Sequence, residues 1–229
     1  MQRSKPVILY SRLLFFVIAL CAPIYGIMIN IIKQISPETY FIAAITAIVA
    51  LAITHIPDIM CRKNIVLPTK LQEFMVIFVV LSMFCGEILN FYERFVWWDT
   101  MLHFFSGIML SFIGFRLFLS LSKISSKSEE YNPVVAIVFA IMFAIACGAI
   151  WEIIEFAGDS LLGMNMQRWQ ILSSDTNVLQ SSSNLSNPGL INTMKDIICG
   201  VVGSLCSVIF MLPLEKASVV NAISSKLLN

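Results

Sequence analysis

Glu152 and Glu155 stand three residues apart in the run from Ile150 to Asp159, I-W-E-I-I-E-F-A-G-D, and Asp159 follows at i+7 from the first. On a helix the three carboxylates share one face. The run closes an apolar stretch that begins near Pro133. Carboxylates at the end of a membrane-length segment are costly unless paired, hydrated or bound to a cation. Near a helix C-terminus they also oppose the macrodipole, so capping does not account for them. Two carboxylates side by side suit general acid–base work or ligation of a hard divalent cation. The competing use is a polar network that ties helices together.

Asp99 and His103 are four apart, hence on one helical face, and Gly107 and Ser111 continue it with small residues. A carboxylate–imidazole pair facing a bundle interior can bind a metal or relay a proton. Asp99 also fits an N-cap, since Thr100-Met101-Leu102 follow it. Asp196 follows Thr193 by three, a capping-box-like start, and Gly200 and Gly203 continue its face. Asp159 lies at the water boundary, where a solvated carboxylate competes with a ligand. Glu87, with Asn90 three residues on, is a weaker member of the set. Asn165, Gln167 and Arg168 in G-M-N-M-Q-R could contact a headgroup, against plain loop solvation. The candidate ligands are His103, Glu152, Glu155, Asp159 and Asp196. With one histidine among them the donor set is carboxylate-rich, which favours Mg, Mn or Ca over zinc. The pair His55 and Asp58, beside Pro57, reads as a helix terminus apart from the site. No phosphate-binding glycine loop, H-E-x-x-H or G-x-S-x-G motif is present.

The elements that must position these residues are apolar helices. Of 229 residues 58% are hydrophobic and 13% charged, against about a quarter charged in soluble domains. The class is an all-α polytopic membrane protein, one transmembrane domain over 1–229. Six segments reach the roughly 20 residues a bilayer core needs. They run near 8–32, 40–56, 71–91, 100–121, 133–157 and 192–213. Pro57 is expected to end the second and take the chain out of helix. The N-terminal apolar run lacks a small-residue cleavage site, so it reads as an uncleaved first span. The six cysteines form no C-x-x-C pair and most lie in apolar segments, as small helix residues do. A net charge of +1 offers no basic surface for nucleic acid.

Lysine and arginine placement sets the orientation. Arg3, Lys5, Arg12, Arg62, Lys63, Lys70, Lys123, Lys127, Lys216 and Lys226 fall on one side. Both termini are therefore expected in the cytoplasm, and the acidic cluster at the extracytoplasmic face. The aromatic connection from Phe91 to Trp98, F-Y-E-R-F-V-W-W, reads as interfacial, with Trp98 placed to meet a substrate. The loop 160–191 begins L-L-G-M-N-M-Q-R-W-Q, which is expected to fold back, and then turns polar. The tail after Pro213 is mildly amphipathic and is expected to lie on the inner surface. No internal repeat is evident, which weakens an inverted-repeat transporter.

The blocks W-W-D-T-M-L-H-F-F-S-G, W-E-I-I-E-F-A-G-D, L-G-M-N-M-Q and T-M-K-D-I-I-C-G-V-V-G resemble those of the YjdF-like integral membrane proteins of bacteria, over roughly residues 70 to 212. The layout is also similar to that of VanZ-like small membrane proteins, which place Asp and His at a helix start. The resemblance implies a bacterial plasma-membrane protein whose signature polar positions are Asp99, His103, Glu152, Glu155, Asp159 and Asp196. The polar stretch Ser181–Ser186 departs from the short connection expected in that family, which bears on the place of Asp175.

The leading expectation is a membrane enzyme with a carboxylate–histidine site, acting on a lipid or cell-envelope headgroup by metal-assisted hydrolysis or transfer. Glu152 or Glu155 would be base or ligand, His103 ligand or acid, and Asp99 its orienting partner. A proton- or cation-coupled carrier is the alternative, and it requires polar residues reaching the cytoplasmic half. A non-catalytic membrane assembly partner is the third reading. Membrane lipids surround the chain in all three.

Overall fold

Inside a bilayer every backbone N–H and C=O must be bonded within its own segment, which leaves helices as the natural answer to these apolar runs. The computed structural model is accordingly helical, with no strand among the described residues. It describes residues 6–125, 132–168 and 188–227, with side chains over 6–122, 132–168 and 188–211. Asp175, Ser181–Ser186 and the side chains of Arg3, Lys5, Lys123, Lys127, Lys216 and Lys226 lie outside the described residues. Six helical stretches are long and apolar enough to cross a membrane: Pro6–Lys33, Glu38–Arg62, Thr69–Ile88, Trp98–Ser122, Pro133–Leu162 and Pro188–Met211.

The chain divides into two compact units, one up to Leu102 and one from His103. The first contains α1 (Pro6–Lys33), α2 (Glu38–Ile53), α3 (Ile56–Arg62), α4 (Thr69–Val79) and the short α5 (Phe91–Arg94). Its core gathers Phe15 of α1, Ala47 and Ala50 of α2, and Val79 of α4. Pro57 does not take the chain out of helix as expected. The break falls earlier, at Thr54 and His55, and Pro57 sits in the first turn of α3. A proline lacks only a donor that is an orphan there anyway, so it starts a helix at no cost. His55 is the N-cap residue of α3, with Asp58 in its first turn.

Arg12 of α1 secures this break. Its Nη2 donates to the Thr54 carbonyl and to Asp58 Oδ2, both at 2.7 Å. The carbonyl left without a helical partner is thereby satisfied by a charged donor.

From Val80 to Ile88 the third span is π-helical, and its last turn shows the wider ring directly: Leu89 N donates to Phe84 O at 2.9 Å. Each π turn takes an extra residue. Glu87 is therefore rotated off the face that α-helical spacing assigns it. Asn90 ends the segment in the left-handed region (φ 60°).

The second unit contains α6 (Trp98–Ser125) from His103 onward, α7 (Pro133–Leu162) and α8 (Pro188–Leu227). Asn132 caps α7, its Oδ1 accepting from Val134 N at 2.9 Å. Pro133 then occupies the first turn, where proline is pre-organised. Phe115 of α6, Ala136, Ile137 and Ala140 of α7 and Met211 of α8 form the core. The helical backbone of α8 runs on through Pro213 to Leu227, so the tail is a continuation of the last span.

Candidate functional site

Three helices of the second unit converge on one polar cluster. His103 comes from α6, Glu152 and Glu155 from α7, and Asp196 from α8. His103 Nδ1 stands 3.8 Å from Glu152 Oε1. His103, Glu152 and Asp196 each place a ligand atom within 4.8 Å of the other two, and His103 and Glu155 meet the same limit. All four side chains are buried, Asp196 completely.

Small residues make this convergence possible. A Cβ on Gly107 would run into the carbonyl oxygen of Gly200, and one on Gly203 into the carbonyl oxygen of Phe104. Backbone thus lies against backbone where α6 crosses α8, a contact only glycine permits. Ser111, Ser204 and Ser207 continue the interface and are fully buried. Each hydroxyl donates to a carbonyl of its own helix, at 2.9, 2.7 and 2.6 Å respectively. They are self-satisfied packing residues.

The donor set fits a hard divalent cation. Oxygen ligands at 2.3–2.6 Å put opposite donors about 5 Å apart, so the separations among His103, Glu152 and Asp196 lie within one coordination sphere, with Glu155 joined to them through His103. Three carboxylates in a buried cluster carry a charge that such a cation would neutralise. Beside His103 and Asp196 the helices leave a cavity of ≈ 20 Å³, also lined by Gly107, Ala144, Gly148 and Gly200. That is about the room one water molecule requires.

Two neighbours orient the carboxylates. Trp151 Nε1 donates to Glu155 Oε1 at 2.7 Å. Asn192 Nδ2 donates to Asp196 Oδ2 at 2.6 Å. Fixing ligand oxygens by hydrogen bonds from behind is how metal sites gain precision. Sequence reasoning passed over Trp151 and Asn192. The available signal was spacing, since each stands four residues before its acid and so on the same helical face.

Several expectations need correction. Asp196 is no capping residue: α8 begins at Pro188, which places Asp196 two turns inside. Asp99 is not the N-cap either, because α6 already starts at Trp98 and Asp99 lies buried in its first turn. A carboxylate there still complements the positive end of the helix. Asp159 is buried, not solvated, and it stands apart from the cluster. Its Oδ1 accepts from Met166 N at 2.6 Å and its Oδ2 from Gln167 N at 2.9 Å. It thereby holds the segment after α7 folded back on the helix end. Gly163, at φ 65°, supplies the left-handed turn that starts this return. Gln167 Nε2 then donates to Thr193 Oγ1 of α8 at 2.7 Å. Arg168 N closes a turn on Asn165 O at 3.2 Å. Trp169 and the residues to 187 lie outside the described residues.

Trp98, expected to meet a substrate, is buried. Its ring packs edge-on against Phe91 with centroids 5.0 Å apart, and Phe95 and Trp97 surround it. Trp97 is the exposed indole of the pair.

Six apolar spans and a buried carboxylate–histidine cluster define a multi-pass membrane protein with a polar centre inside one helical unit. Residues 12–217 match the model of the predicted membrane protein family DUF2238, and the chain belongs to that family. A curated relative from Thermotoga maritima, described as an uncharacterized protein, is 31% identical over 85 residues. The match covers 37% of this chain and 41% of the relative, so the chain spans less than half of that relative's length. No solved structure matches the chain.

Proposed function

We propose that this chain is a YjdF-like membrane enzyme that uses a divalent-cation centre at His103, Glu152, Glu155 and Asp196 to hydrolyse or transfer a lipid or cell-envelope headgroup. The observation that carries the reading is the cluster itself. His103, Glu152 and Asp196, from three helices, lie buried with ligand atoms within 4.8 Å of one another, next to a cavity of water size. Helix association alone is already served by the glycine and serine contacts between α6 and α8.

The roles follow from the surroundings. Glu155 and Asp196 each have an oxygen fixed by a neighbour, which suits ligands. Glu152 faces His103 and either completes the ligand set or serves as the general base that takes a proton from water or an acceptor hydroxyl. His103 is either a ligand or the acid that returns a proton to the leaving group, and Asp99, one turn earlier on α6, orients the imidazole. A bound Mg, Mn or Ca would polarise the scissile group as a Lewis acid. In this reading residues 1–229 act as one transmembrane domain in a bacterial plasma membrane, both termini are cytoplasmic, and the site opens at the extracytoplasmic face. The carrier alternative is weakened because Ser111, Ser204 and Ser207, deeper along the same helices, spend their hydroxyls on their own backbone.

The test is headgroup release from labelled lipids by the full chain in proteoliposomes. Release that stops with a chelator and in Glu152→Gln is the expected result. No release from any lipid of a broad panel, by protein that demonstrably carries the cation, would turn the reading to a non-catalytic role.

A further inference from the structure

The first unit carries opposite charge at its two ends. Each crossing reverses the side. Arg12 near the start of the first span, Asp58, Arg62 and Lys63 at the end of the second, and Lys70 and Glu73 at the start of the third therefore lie at one end. The bonds from Arg12 to Thr54 and Asp58 join α1 to that end directly. Four cations there face two carboxylates. At the other end Lys33 and Arg94 stand against Glu38, Glu87, Glu93 and Asp99, two cations to four carboxylates.

The turn between the second and third spans gathers the cations. Lys63 N donates to Ile59 O at 3.1 Å and Ile65 N to Met60 O at 3.0 Å, which winds the chain tightly past the end of α3. Asn64 takes the left-handed region there (φ 64°). Gln72, in the first turn of α4, reaches back through its Nε2 to Leu67 O at 2.8 Å and to Cys61 Sγ at 3.7 Å. The start of α4 is thereby fastened beside the end of α3, and Arg62, Lys63 and Lys70 share one turn. All three are exposed. The nearby carboxylates do little to offset them. Asp58 is bonded to Arg12 at 2.7 Å. Glu73 stands 3.5 Å from a Lys70 side chain that is 91% exposed, and such a surface pair is worth little.

The ends of membrane spans lie at the level of lipid headgroups. A phosphodiester at that depth meets a guanidinium, which can bind two of its oxygens, and two ammonium groups, which act as point charges. We infer that the turn from Arg62 to Lys70 seats the phosphate of an anionic phospholipid. A zwitterionic lipid carries its own cation and gains less from the same three charges. The site belongs to the first unit and does not depend on the chemistry of the carboxylate–histidine cluster.

The experiment is native mass spectrometry of the full chain in an uncharged detergent, titrated with phosphatidylglycerol and, separately, with phosphatidylcholine of the same acyl chains. A Lys or Arg near a membrane surface contributes about fivefold in affinity for an anionic lipid, the equivalent of about 1 kcal/mol. Phosphatidylglycerol should therefore bind at least about tenfold tighter than phosphatidylcholine. Arg62→Gln, Lys63→Gln and Lys70→Gln, all at exposed positions, should each weaken it about fivefold. Raising ammonium acetate from about 0.1 M to about 1 M should erase the preference. Lys33→Gln with Arg94→Gln removes the same charge as Arg62→Gln with Lys63→Gln, but from the other end, and should leave binding unchanged. Equal binding of the two lipids, or equal weakening by the two double variants, overturns the inference. So does displacement of phosphatidylglycerol by an equal concentration of glycerol 3-phosphate, which would assign the turn to soluble phosphate esters.

Discussion

Replacing Gly107 or Gly203 by alanine tests how the site is assembled, because each added methyl meets backbone. The Gly107 methyl runs into Gly200 O and the Gly203 methyl into Phe104 O, and neither carbonyl can swing aside. The helices must separate instead. Overpacking of this kind costs about 1–3 kcal/mol. For a chain of this size 1 kcal/mol moves Tm by roughly 2–4 °C, so a fall of about 2–12 °C is expected for each variant. Gly148 and Gly200 are the internal controls. A Cβ at Gly148 meets nothing within 4 Å, and one at Gly200 meets only His103 O at 3.7 Å. Alanine there should be neutral, or stabilising by up to about 1 kcal/mol from helix propensity. Tryptophan-fluorescence melting of the detergent-purified chain reads all four. The double variant Gly107→Ala with Gly203→Ala should cost less than the sum, since one separation relieves both contacts. Equal Tm shifts for all four glycines would refute the close α6–α8 crossing and the convergence that depends on it.

Three further outcomes are expected. Trp151→Phe keeps the ring but removes the donor to Glu155, and should lower cation affinity severalfold while costing about 1–2 kcal/mol, read by isothermal titration and melting. Asp159→Ala removes the acceptor for Met166 and Gln167, so protection of those two amides in hydrogen exchange should fall by at least about tenfold while α7 stays protected. Arg12→Ala strips the Thr54 carbonyl of its donor and should cost about 1–3 kcal/mol, whereas Asp58→Asn, which leaves that carbonyl bonded, should cost less.

Hydropathy made the spans legible, because a lipid-exposed helix must be apolar along its whole length. The second span shows where that signal stops. Mean polarity does not say that the helix breaks at Thr54 and His55, or that the third span widens to the π pattern at Val80, since both depend on which carbonyl a given amide meets. Within the site, i, i+3 and i+4 spacing sets Glu152 and Glu155 on one stretch of α7 and His103 one turn after Asp99, and the structure gathers His103 with Glu152 and Asp196. For Asp196 the T-x-x-D surroundings set a helix start beside the ligand reading, and α8, beginning at Pro188, removes the cap. For Asp159 a solvated carboxylate stood beside a ligand in the sequence, and the side chain is buried because the chain folds back on it. Trp151 stands four residues before Glu155, and only its geometry shows the indole N–H directed at that carboxylate.

The central claim is that His103, Glu152, Glu155 and Asp196 hold a divalent cation. The direct measurement is metal content by inductively coupled plasma mass spectrometry of the detergent-purified chain, wild type against Glu152→Gln with Glu155→Gln. About one Mg, Mn or Ca ion per chain, lost in the variant while its helical content and melting persist, is the predicted result. No metal in either protein after supply of Mg, Mn, Ca and Zn would contradict the account and leave the cluster as a proton-coupling or purely structural polar core.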